Sequence, residues 1–203
     1  SNGQLEAGQN LTLIGNDVIL NGEVLAGADL TLQADGRVQI WDTPDQRFVV
    51  GAGNDLLIQG NNQVDVWAQY NADGGLFARR DLTLRSADVI SDTDYWSGGN
   101  FRIEQLDETL GPLRSTANSN IQTAGDVAFA SYNGASLHIL AGGSVTVPGE
   151  ISITGPNATT GLIETVTLSD GATVAINGQT TPTLDIRAGT LAVNPTGVLA
   201  ETL

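Results

Sequence analysis

Cysteine and methionine are absent from the 203 residues, and there is one histidine, His138. Cysteine nucleophiles, thiolate metal sites and disulfides are thereby excluded. A Ser-His-Asp site would have to use that one histidine, and no nucleophile-elbow phrase accompanies it. Positive charge is scarce as well. Lys and Arg number 8 against 23 Asp and Glu, so the net charge of −15 repels phosphate backbones and anionic lipid surfaces. Nucleic acid is therefore not expected as a partner. No run approaches the ~18–20 apolar residues of a membrane-spanning helix, and membrane insertion is not expected either. No basic-then-apolar leader opens the chain. Ser1-Asn2-Gly3 already stands inside a repeat-like phrase, which suggests a mature or excised piece whose export signal lies elsewhere. Proline (6 residues) is too rare for a Pro-rich linker, and aromatics, at 5%, leave the core to aliphatic side chains.

Recurrence takes the place of what is missing. A polar residue followed by apolar-X-apolar appears as Asn10-Leu11-Thr12-Leu13, Asp29-Leu30-Thr31-Leu32, Asp55-Leu56-Leu57-Ile58 and Asp81-Leu82-Thr83-Leu84. It continues as Asn100-Phe101-Arg102-Ile103, Asp126-Val127-Ala128-Phe129, Ser144-Val145-Thr146-Val147, Thr165-Val166-Thr167-Leu168 and Thr183-Leu184-Asp185-Ile186. The first positions (10, 29, 55, 81, 100, 126, 144, 165, 183) are separated by 19, 26, 26, 19, 26, 18, 21 and 18 residues. Ser136-Leu137-His138-Ile139 offers a second phase across 126–155, and the two stay open. A further alternating run follows within most steps: Val18-Ile19-Leu20, Val38-Gln39-Ile40, Val64-Asp65-Val66, Ile151-Ser152-Ile153, Val174-Ala175-Ile176 and Leu191-Ala192-Val193.

Alternation over three to five residues, punctuated by Gly, Asn or Asp, predicts short half-buried strands. Such strands cannot bury their apolar faces alone, but coils of about 20 residues stacked at ~4.8 Å can. The expected fold is all-β, a right-handed single-stranded parallel β-helix over residues 1–203 as one domain of about 8–9 coils. Gly and Asn clusters are expected at corners where positive φ is needed. Loop excursions are expected near 41–50, 67–80 and 103–123, with a short helical turn in 104–113.

"AGADLTLQADG" (26–36), "ARRDLTLRSAD" (78–88) and "YNGASLHILAGGSVTVPGEISITG" (132–155) resemble the filamentous haemagglutinin family of two-partner-secretion exoproteins, cyanobacterial type, over roughly 5–200. The resemblance implies a β-helix shaft segment at the bacterial cell surface, exported through an outer-membrane transporter and acting in adhesion or aggregation. The family's Asn-Pro-Asn secretion motif is not matched; Asn194-Pro195-Thr196-Gly197 lacks the second Asn.

Gly51-Ala52-Gly53-Asn54-Asp55-Leu56-Leu57-Ile58 is similar to one calcium-binding nonapeptide repeat, but an ion there is shared between tandem copies and one copy reads as a solenoid corner. No metal or cofactor is expected. Asp88, Asp92 and Asp94 fall on alternate positions and read as a solvated face, with a structural cation or a lyase-type acid set as the other readings; Asp107-Glu108 reads the same way. His138, between Leu137 and Ile139, is expected to point outward and be exposed. A flat ice-binding array of Thr12, Thr31 and Thr83 is interrupted by Leu57. The aromatic residues carry the main site hypothesis. Trp41 and Trp67 share a repeat offset, with Tyr70, Tyr95 and Trp96 nearby. Outward rings on adjacent coils form a platform for neutral glycans or for host- or neighbour-cell surface proteins; the other reading has their own loops covering them. The function expected is a non-catalytic structural or adhesive segment of a secreted surface protein, with a pectate-lyase-like or glycosidase β-helix enzyme as the alternative.

Overall fold

The computed structural model describes residues 3–68, 70–71, 74–117, 119–158 and 161–190. Among them there are 23 strands and no helix. All but two of the strands belong to three parallel ladders that curl around one core of aliphatic side chains with Phe48, Tyr95, Phe101, Phe129 and Tyr132 among them, an arrangement consistent with a β-solenoid.

Ladder I stacks Gly3–Ala7, Gly22–Ala26, Val49–Ala52, Gly75–Ala78, the end of Val89–Ser97, Ser119–Thr123, Leu137–Ala141 and Leu184–Ala188. Ladder II stacks Leu11–Gly15, Leu30–Ala34, Leu56–Gly60, Leu82–Ser86, Phe101–Glu104, Val127–Ala128 and Val145–Thr146. Ladder III stacks Val18–Leu20, Arg37–Trp41, Gln63–Trp67, the start of Val89–Ser97, Pro112–Arg114, Ser131–Ala135 and Ile151–Gly155. The chain visits the ladders in the order I, II, III and then returns to I one level on. Both phases left open across 126–155 are real strands: Val127–Ala128 lies in ladder II and Leu137–Ala141 in ladder I.

The polar residue that opens each repeat has a structural role at the corner before ladder II. The side-chain oxygen of Asn10 accepts the Asp29 N–H (3.2 Å), Asp29 that of Asp55 (3.4 Å) and Asp55 that of Asp81 (3.0 Å). Asp81 then accepts from Asn100 (2.7 Å), Asn100 from Asp126 (2.9 Å) and Asp126 from Ser144 (2.7 Å). Each side chain satisfies a backbone donor one level on, so a residue with a short side chain and an acceptor oxygen is required there. The apolar partners form columns through the core, for example Leu30, Leu56, Leu82 and Phe101, all essentially inaccessible.

Three expectations are corrected. The corner glycines mostly do not need positive φ: among the described residues only Gly22, Gly171 and Gly189 adopt it. Gly53 is required instead by close approach, because a Cβ there would stand 2.2 Å from the Gly27 carbonyl oxygen of the level below. The 104–113 segment forms no helix; Gln105 donates to Thr109 and Gly111 to Ile103 in a tight turn, with Glu108 at φ 66°. The late repeats also depart from the pattern. Ile163–Thr167 and Thr173–Asn177 pair antiparallel in a hairpin outside the ladders, and Leu184–Ala188 sits in ladder I, not ladder II. The apolar-X-apolar phrase specifies a strand with one buried face; it does not say which ladder receives it.

Candidate ligand-binding surface

Val38, Ile40, Val64 and Val66 fill the core, so their neighbours Arg37, Gln39 and Trp41, and Gln63, Asp65 and Trp67, stand on the outside of ladder III. Register pairs Arg37 with Gln63, Gln39 with Asp65 and Trp41 with Trp67. The two indoles pack edge to face, with centroids 5.3 Å apart and planes at 72°. Both are half-buried. Neither indole nitrogen is accessible or hydrogen-bonded, so the surface these side chains expose is carbon.

Burial raises the Asp65 carboxyl above its usual range, and the charges of Asp92 and Asp88 add to that. Arg37 opposes it, as does the Trp41 indole, which lies close to the carboxylate but closes no hydrogen bond with it. Sequence reasoning passed over Asp65, although it sits between two core valines and two residues before Trp67.

The loops beside the indoles are held by Asp42, which is 5% exposed. Its carboxylate accepts the backbone N–H groups of Tyr70 and Asn71 (2.8 Å each) and the Asn71 amide (3.1 Å), while that amide also donates to the Thr43 carbonyl (2.8 Å). Residues 42–43 and 70–71 are thus tied together next to Trp41. Tyr70 is 57% exposed on this loop.

The five aromatic residues do not form one surface. Tyr95 points inward, is 2% exposed and packs edge to face on Phe101 at 4.9 Å. Burial drives its phenol pKa well above the ordinary value. It is a core residue, not a surface contact. Residues 89–97 run as one strand from ladder III into ladder I, and alternation along it turns Tyr95 in and Trp96 out. Trp96 stands on the outside of ladder I, level with Phe77 and Gln122, so it does not share the outer row of Trp41 and Trp67.

The acidic residues are engaged individually. The Arg114 guanidinium donates twice to Asp88 Oδ1 (3.0 and 2.6 Å), and the Gln63 amide donates to Oδ2 (3.0 Å). Burial raises the Asp88 carboxyl, but these bonds outweigh it and the net shift is downward. Asp92 is 2% exposed, which corrects the solvated-face expectation. It accepts the Ser115 hydroxyl (2.6 Å), the Thr116 N–H (2.7 Å) and hydroxyl (2.6 Å), and the Ala117 N–H (2.8 Å). Asp94 accepts the Asn120 amide at 2.9 Å. Asp55, in the calcium-like phrase, receives the Asp81 N–H and lies 3.7 Å from Arg80. Among the described residues no group of three or more His, Cys, Asp or Glu is placed to hold a metal ion.

His138 does point away from the core, yet it is 1% exposed, not open to solvent. Gly178 packs directly over it, and a Cβ there would stand 2.6 Å from its Nε2. Ser136 donates its hydroxyl to the Gly178 carbonyl (3.1 Å) and accepts the Thr183 N–H (3.0 Å). Asp185 lies 3.5 Å from His138 Nδ1, and Arg187 bridges Asp185 (2.7 Å) and Glu164 (2.6 Å). Burial raises the Asp185 carboxyl, but His138 and Arg187 outweigh it and hold it down at about 2.

Comparison with protein-family models, with curated proteins and with solved structures finds no significant match for this chain.

Proposed function

We propose that the chain is a right-handed parallel β-helix serving as a non-catalytic structural and adhesive segment of a secreted, haemagglutinin-like bacterial surface protein. The observation supporting this reading is the column of Asx side chains from Asn10 to Asp126, each satisfying the backbone of the next level. A device that repeats at every level extends a shaft; it does not shape a cleft. The outer face of ladder II agrees with this use, because Thr12, Thr31, Leu57 and Thr83 form one in-register row of modest side chains. Eight levels at the ~4.8 Å strand spacing make a stack about 35 Å high, one short length of such a shaft. Export through an outer-membrane transporter and presentation at the cell surface belong to the same proposal.

The carbohydrate-cleaving alternative calls for an acid and a base free on neighbouring levels. Asp88, Asp92 and Asp94 each have donors of their own, which favours the shaft. Two measurements test the reading together: far-ultraviolet circular dichroism of the isolated chain, and adhesion of beads coated with it to bacterial or host cells. A β-dominated spectrum with saturable adhesion is expected. A helix-dominated spectrum, or beads that adhere no better than albumin-coated ones, would overturn the proposal.

A further inference from the structure

We infer that the patch of Gln39, Trp41, Asp65 and Trp67 on ladder III is a binding site for neutral hexopyranose units, an assignment that rests on the adhesive reading above. Three features of the patch select this ligand class. The first is amphipathic character at the right spacing. Trp41 and Trp67 expose only carbon, and one row away, about 7 Å along strands that rise ~3.3 Å per residue, stand an amide and a carboxylate. A pyranose ring has the same division, with C–H groups on its faces and hydroxyls at its rim. Laid on the indoles, it directs hydroxyls toward Gln39 and Asp65.

The second feature is the state of Asp65. It is partly stripped of water and closes no hydrogen bond with its indole neighbour, whereas Asp88 and Asp92 are supplied with donors. A desolvated carboxylate without donors gains from any ligand that brings O–H groups to it. The third is charge. Asp65, Asp88 and Asp92 repel anionic sugars, while Arg37 beside Asp65 disfavours a cation in the same place. The loops tied at Asp42 border the patch next to Trp41, and Tyr70 adds an exposed ring at that border.

Saturation-transfer difference NMR and calorimetry on the intact chain test the assignment, with maltoheptaose, cellohexaose and laminarihexaose as neutral probes, a galacturonate hexamer as the anionic one and choline as the cationic one. At least one neutral oligosaccharide is expected to bind. Asp65→Asn and Gln39→Ala are each expected to weaken that binding by about tenfold, the loss that goes with one charge-assisted or well-placed hydrogen bond. Both variants are expected to keep or raise the melting temperature, because Asp65→Asn removes a poorly solvated charge. Trp67→Ala abolishes binding, and its melting curve shows whether the fold survives. The assignment is overturned if no neutral probe binds, if choline or galacturonate binds in preference, or if binding is unchanged in Asp65→Asn and Gln39→Ala. Circular dichroism and bead adhesion on the same samples keep the two readings apart: a β-rich chain that adheres to cells but binds no sugar retires this site and leaves the shaft, whereas a helix-dominated spectrum or failed adhesion retires the shaft.

Discussion

Replacing Asp92 should cost the protein more than replacing any other of its outward-facing carboxylates. The side chain accepts four hydrogen bonds from Ser115, Thr116 and Ala117, and those residues close the connection between ladders III and I. Asp92→Ala leaves the buried Ser115 hydroxyl and two backbone N–H groups without an acceptor. Hydrogen bonds to a charged acceptor are worth about 1.5–3 kcal/mol each when buried. Thr116 is exposed, so water replaces part of what it loses, and the expected loss is about 2–4 kcal/mol. In a chain of this size that lowers the melting temperature by roughly 5–15 °C. Asp92→Asn keeps one oxygen for the backbone donors, and the Thr116 hydroxyl can turn to accept from the new amide, so about 1 kcal/mol is expected. Thermal denaturation followed by circular dichroism gives the order, and hydrogen exchange at 115–117 gives the location. An Asp92→Ala protein that melts within 1 °C of the parent would refute the role assigned to this carboxylate. Loss of polysaccharide cleavage in Asp92→Asn would refute the non-catalytic reading as well.

Leu82→Ala, in the centre of the ladder II column, should lose about 2–5 kcal/mol in a denaturant titration, since the residue is fully buried between Leu56 and Phe101. Asp81→Ala should lose about 1 kcal/mol in the same titration, because it deprives the Asn100 N–H of its acceptor. Asp185 is held down at about 2, so its ionised form stabilises the fold in full above about pH 4, and that contribution disappears as pH falls from about 4 to 2. An acid melt should accordingly flatten over this interval in Asp185→Asn; an unchanged acid limb would contradict the pairing with His138 and Arg187. Gly178→Ala should force the excursion off His138, making the imidazole reactive toward diethyl pyrocarbonate where the parent protein is inert.

The strands and their inward faces were legible because a period of two in apolar residues has one physical solution, a strand with one side removed from water. Val38, Ile40, Val64 and Val66 illustrate it: their alternation put Trp41 and Trp67 outside and side by side, as the register has them. Tyr95, grouped with the indoles by nearness in sequence, proved a core residue for a definite reason. Phase within a strand can be counted only from a known inward residue, and 89–97 is a single run that passes from one ladder to the next, so no Gly or Asn marks where to start counting.

Composition and periodicity alone determined that the chain is all-β, that aliphatic side chains dominate its core and that its strands are short enough to need neighbours. Those are properties of local patterning and of total apolar content, which every residue carries with it. Tertiary structure decided what depends on approach between distant segments. It placed the repeat-opening Asx residues in a hydrogen-bonded column across separations of 18 to 26 residues. It buried His138 beneath a segment 40 residues away, and supplied donors to Asp92 while leaving Asp65 without a closed hydrogen bond from its indole neighbour. Burial and hydrogen-bond satisfaction are sums over neighbours in space, and the order of residues along the chain states them only after the chain has folded.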